Sequence, residues 1–186
     1  MISRIGSLQR IAKILPIAAI SLVLGFVLLG ITASGQEKAM SNKDRIVGTW
    51  KLVSAEAEQN GKRVEFFGLN PIGIAVFEAN GRYFSQIARA NLPKIASGNR
   101  YKTTPEEDKA IVQGFIAYFG TYTVDDSGTL TLHMVSSSFP NFNGTVQKRT
   151  IAIKGDVMNY SSTGTSFGAA AHQVWKRVRP DEKLGE

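Results

Sequence analysis

From Ile46 to the C-terminus the chain is a succession of short runs rich in Val, Ile, Phe, Tyr and Thr, each closed by a turn signal. Such a chain folds as a sandwich or barrel of antiparallel strands and not as alternating strands and helices. About eight runs can be counted. The first, Val47 to Glu58, ends at Asn60-Gly61, a dipeptide that accepts the positive φ angles of a tight hairpin. Pro71 to Glu78 and Arg82 to Ala88 flank Ala79-Asn80-Gly81, and both arms carry side chains suited to a pleated surface. Phe119 to Val124 turns at Asp125-Asp126-Ser127-Gly128 into Thr129 to Ser136. Val146 to Ile153 turns at Lys154-Gly155-Asp156 into Val157 to Ser161, and His172 to Val178 closes the set.

One helix interrupts this pattern. Thr104-Pro105-Glu106-Glu107 is a capping box with proline at the first helical position. The run to about Ala117 gathers Ala110, Ile111, Gly114 and Phe115 on the face expected to pack on the sheet. The preceding stretch, Asn91 to Lys102, reads as a loop long enough to serve a site or a lid.

Residues 1–35 have a different character. Ile14 to Ile31 is eighteen residues without a charge, preceded by Arg4, Arg10 and Lys13. A helix of that length spans about 27 Å, enough for a thin bilayer core. Ala33-Ser34-Gly35 before Gln36 also supplies the small residues of a signal-peptide cleavage site. Retention as an anchor and cleavage both remain open, and both place the following domain outside the cytoplasm by the positive-inside rule. The expected organisation is a signal peptide or membrane anchor over 1–35, a polar linker over 36–45, one β domain over 46–180 and a tail over 181–186. The partner implied for the first segment is the membrane.

Composition removes several function classes. With no cysteine there is no disulfide, thiolate metal site or lipoprotein anchor. The formal charge of +7 drops once the leader is set aside, to 19 basic against 15 acidic residues, and that net +4 is no nucleic-acid footprint. Two histidines cannot build a zinc site without scattered carboxylates, so neither metal nor cofactor is expected. No nucleophile, base and orienting acid stand at a recognisable spacing, so no catalytic residue is assigned and an enzyme is not the favoured expectation.

Gly48-Thr49-Trp50 opens the first strand with a Gly-x-Trp signature. It is followed by Lys51-Leu52-Val53-Ser54, Asn70-Pro71-Ile72-Gly73, the Asn80-Gly81-Arg82 turn and Ala117-Tyr118-Phe119-Gly120-Thr121-Tyr122. His133, Phe139-Pro140-Asn141, Gly144, Arg149 and Val174-Trp175-Lys176-Arg177 complete the pattern. In this order the residues resemble the bacterial and fungal lipocalin-like domain family. The resemblance implies an all-β fold: a single up-and-down, calycin-type barrel of about eight antiparallel strands with one helix packed on it. It also implies that Trp50 sits at the closed end under Arg177, with Gly48 beside them, as a structural plug. The family resemblance names no ligand.

Strand alternation assigns faces within such a barrel. Tyr118, Tyr122 and Val124 turn inward, as do Leu130, Leu132 and Met134, which leaves His133 outside. Arg149 shares the inner face with Ile151 and Ile153. An arginine there needs either a carboxylate, for which Glu56, Glu65 and Glu78 are the candidates, or an anionic or carbonyl ligand. Phe77, Tyr83 and Phe84 join the candidate lining. The expected ligand-binding set is Arg149, Tyr118, Tyr122, Phe77, Tyr83 and Met134, around a small hydrophobic or amphipathic molecule. A filled envelope barrel and an isomerase or cyclase acting on an apolar substrate are the alternatives. Oligomeric state is not legible.

Overall fold

In the computed structural model, residues 40–182 are described; the apolar run 14–31 and most of the C-terminal tail lie outside them. Among the described residues no helix is long and apolar enough to cross a membrane.

Among the described residues nine strands form one sheet: β1 (Gly48–Gln59), β2 (Lys62–Val64), β3 (Ile72–Phe77), β4 (Arg82–Ala88), β5 (Phe115–Val124), β6 (Thr129–Ser137), β7 (Val146–Lys154), β8 (Val157–Ser162) and β9 (Ala171–Arg177). Each pairs antiparallel with its neighbours, and β1 also pairs with β9, so the sheet closes into a barrel of eight strands. β2 is extra to the expected set. It pairs only with the end of β1 through the Asn60-Gly61 hairpin, where both residues have positive φ. Its three residues are all exposed, which leaves no alternation for a sequence reading to detect.

Two register shifts tune the wall. Between Leu52 and Ser54 the pairing of β1 with β9 slips, pushing Val53 out to 54% exposure. Trp50 and Leu52 therefore face inward before the shift, and Ala55 and Ala57 after it. In β6 the slip opposite Phe119 and Gly120 leaves Val135 outside at 61% exposure. A Cβ on Gly120 would collide with the carbonyl oxygen of His133, so this crossing requires glycine.

The closed end is built around the Gly-x-Trp signature. A short helix, α1 (Asn42–Ile46), is capped by Ser41 and, but for Ile46, falls in the stretch 36–45 expected to be a polar linker. It belongs to the floor of the barrel: Asn42 donates to the carbonyls of Asp125 and Asp126, Arg45 to that of Ile153, and Ile46 is fully buried. Trp50 donates its indole N–H to the Ile46 carbonyl at 2.8 Å. Arg177 stacks on the Trp50 ring at 4.2 Å and donates to the carbonyls of Val47 and Arg45 at 2.6 and 2.5 Å. Gly48 has φ of +130°, and a Cβ there would lie 2.7 Å from the Arg177 guanidinium.

The second helix, α2 (Pro105–Gly114), has the expected capping box, with Thr104 and Glu107 exchanging hydrogen bonds. It ends at Gly114 and not near Ala117. Phe115 is already extended and pairs with Ala88, because the aromatic and β-branched run from Phe115 completes the wall as β5. Tertiary pairing thus overrides a helical pattern that runs on in the sequence. A 3-10 turn, Pro140–Phe142, sits in the β6–β7 connection.

Candidate functional site at the open end of the barrel

The strand directions put the loops after β2, β4, β6 and β8 at the end opposite the Trp50–Arg177 floor. Between floor and mouth runs a series of rings. Tyr122 meets Phe77 edge-on at 5.1 Å, Phe77 stacks with Tyr83 at 6.1 Å, and Tyr83 meets Tyr118 at 6.1 Å. All four belong to the ligand-lining set expected from alternation, but their depths differ. Tyr122 is committed to the structure below, donating its hydroxyl to the Glu78 carbonyl at 2.9 Å. Met134 is buried and accepts the Tyr83 hydroxyl at 2.8 Å. Neither Tyr122 nor Met134 lines an interior space. Phe84 lies on the outer wall opposite Phe119, so its expected inward facing is corrected.

Two small spaces lie in the interior among the described residues. The lower one, about 10 Å³, is bounded by Phe77, Tyr83, Ser85, Tyr118, Tyr160 and Trp175, among others. Ser85 Oγ is buried there, the residue being 4% exposed, without a hydrogen-bond partner. The upper one, about 40 Å³, lies between Tyr118, Arg149, Tyr160, Ser162 and Gln173 and the loop phenylalanines 66, 67 and 167. By comparison a drug-sized ligand occupies a pocket of about 300–1,000 Å³. A larger cleft of about 460 Å³ begins where the upper space ends, sharing Phe66, Phe67, Ile116, Ser166 and Phe167 with it. Its outer border comes from Ile111, Val112 and Gln113 of α2 and from Arg89, Phe115 and Phe139.

Arg149 is the charged residue of this interior, 8% exposed. None of the expected glutamates serves it. Glu56 pairs with Arg63, and Glu78 contacts Arg82 and Asn80, because each sits on the outer surface or at a turn of the closed end. The guanidinium instead donates to Gln147 Oε1, at 3.3 Å from each terminal nitrogen, and to the Lys148 carbonyl at 2.8 Å. Tyr160 borders the same space. Burial raises the pKa of the Tyr83, Tyr160 and Tyr122 hydroxyls. Tyr118 reinforces the shift at Tyr83 and Tyr160, and Arg149 offsets part of it. These phenols therefore stay protonated at neutral pH and act as hydrogen-bond donors, not as bases.

Alternation missed the residues that shut the mouth. Phe66 packs on Phe67 and on Phe167, each at 4.7 Å between ring centres, and the Phe66 carbonyl is held by Arg89 at 3.1 Å. These rings lie in loops, where no strand period applies; the adjacent pair Phe66-Phe67 outside any strand was the available signal. The loop around Gly164 and Gly168 contributes Thr165, Ser166 and Phe167 to the mouth. The 91–102 loop instead forms its own surface hollow, with Leu92 to Arg100 against Ile111 and Phe115. His133 faces solvent on the outer wall, and His172 meets Ser161 there at 3.0 Å. Among the described residues no three His, Asp or Glu side chains gather as metal ligands.

An antiparallel eight-stranded barrel, closed at one end by Gly-x-Trp under a cation and lined by aromatic rings, is a lipocalin-type barrel. The chain belongs to the lipocalin-like domain family, which it matches over residues 47–178. It is also similar to a 4'-hydroxy-3'-methoxypropiophenone carrier protein of Aspergillus oryzae. The two are 32% identical over 85 residues, 42% of this chain and 77% of the relative.

Proposed function

We propose that this protein is an extracytoplasmic carrier whose barrel takes a small amphipathic molecule through the open end, with a polar oxygen of the ligand meeting Arg149. The observation that carries this reading is Arg149 itself. A guanidinium is costly to bury, and this one is surrounded by aromatic rings and held only by neutral acceptors. A ligand oxygen would complete its coordination. The Aspergillus relative supports the reading, since a carrier for a phenolic ketone handles a molecule with an apolar ring and oxygen acceptors. The apolar run 14–31 behind three basic residues supports export, with the chain secreted or held at the membrane by that run.

The spaces of about 40 and 10 Å³ favour a second reading, an envelope protein with a filled barrel. On the carrier reading, the loop-borne rings of Phe66, Phe67 and Phe167 move aside when ligand enters. Native mass spectrometry of the full-length protein from its own cell tests both readings. A discrete small-molecule adduct is expected, together with a tryptophan fluorescence response to aryl ketones, because Trp175 borders the lower space. A bare protein, silent to a panel of lipids and aryl ketones, would sink the carrier reading. The same spectrum gives the mature N-terminus: a mass starting at Gln36 shows a cleaved leader, and one that keeps 14–31 shows an anchor.

A further inference from the structure

Three features of the open end belong together. The first is an uncompensated charge. Among the described residues no carboxylate lies within salt-bridge distance of Arg149, whose acceptors are one side-chain amide oxygen and one backbone carbonyl. The second is the sign of the lining. Neither the upper space nor the cleft beyond it is bordered by an Asp or Glu, while the cleft carries a second cation, Arg89, whose Nε is buried without a hydrogen-bond partner. The third is the division of volume. The compartment at Arg149 is about 40 Å³ and the adjoining cleft about 460 Å³, walled chiefly by Phe, Ile and Val.

The small compartment has room for about three water-sized groups, which is the size of a head group and not of a ring. The cleft has the volume of a ligand body. A neutral head would leave the buried guanidinium charge unbalanced, whereas an anion would pair with it where water is scarce. Tyr118 and Tyr160 border the same compartment, and their hydroxyls can donate to an anion's oxygens, whereas Ser162 gives its proton to the Gly164 carbonyl.

We propose that the ligand is a monocarboxylate bound head first, its carboxylate against Arg149 and its apolar body in the cleft between the loop phenylalanines and α2. The inference rests on the carrier reading and adds the charge and orientation of the ligand. It requires Phe66, Phe67 and Phe167 to separate, since these three rings border both spaces.

The test is a matched pair of probes, 6-phenylhexanoate and 6-phenylhexanamide, titrated calorimetrically into the wild-type protein. The two share a body and a carbonyl and differ in charge. The acid is expected to bind about tenfold tighter or better, the effect of one charge-assisted hydrogen-bonding contact. Arg149→Met should abolish that preference by weakening the acid far more than the amide, and Arg149→Lys should restore part of it. Equal affinities for acid and amide in the wild type would overturn the inference and leave the carrier reading standing. So would a native adduct with no acidic group. A preference for the acid that survives Arg149→Met would overturn it too, by placing the anion elsewhere. The wild-type comparison needs no variant to fold.

Discussion

The two ends of this barrel close by different means. At the floor, Trp50 and Arg177 are anchored to backbone carbonyls of α1 and of the residue after it, and Arg177 Nε also pairs with the Asp156 carboxylate at 3.7 Å. At the mouth, Phe66, Phe67 and Phe167 come from two loops and meet mostly as rings, with one hydrogen bond from Arg89 holding the Phe66 carbonyl. Hydrogen bonds to main chain fix one geometry, whereas ring contacts without directional partners can be exchanged for contacts with a ligand. Stability is concentrated at one end and adaptability at the other.

Substitutions can break that contrast. Trp50→Ala removes a fully buried indole with its hydrogen bond and stacking partner, and should cost about 3–5 kcal/mol in a denaturant titration. Gly48→Ala is next. It imposes a left-handed φ on alanine and pushes a Cβ toward Arg177, so a loss of about 2 kcal/mol is expected. Phe167→Ala acts at the other end, where the ring is 48% exposed. It should change stability by less than about 1 kcal/mol while speeding ligand exchange in stopped-flow fluorescence. A Phe167 variant as damaging as Trp50→Ala would refute the division of labour.

The smallest effect is a pH effect. Backbone N–H groups of Ala96 and Thr104 donate to the Glu107 carboxylate and hold its pKa below the ordinary carboxylate range. A depressed folded pKa means that this contribution is present above the unfolded pKa and lost as pH falls through the folded one. Hydrogen exchange at Ala96 and Thr104 should therefore gain protection from acid to neutral pH, relative to Glu107→Gln. The floor amides should show no matching step.

The floor was the more legible end in the sequence. Gly48, Trp50 and Arg177 stand at fixed places in strands, and alternation put Arg149, Tyr118 and Met134 on the inner face, where they lie. The mouth was less legible because its aromatic residues are in loops, whose facing follows from tertiary packing and not from a period. The loop phenylalanines, and the assignment of Arg149 to Gln147 and Lys148 instead of a glutamate, needed coordinates. The fate of the Asn42–Ile46 segment was hidden for another reason. Five residues are too few to show helical periodicity, and its role comes from caps and long-range carbonyl contacts.

The seam between β1 and β9 has a kinetic consequence. It joins Trp50 to Arg177 and Ala57 to Ala171, pairs separated by most of the domain. Contacts so distant along the chain make for slow folding, because loop entropy is lost before they form. While the chain is being made, the edge of β1 has no partner until β9 has emerged, and an open edge is a template for pairing with other chains. Arg177, the last residue of the last strand, therefore acts as a latch that engages Trp50 only when synthesis of the barrel is complete.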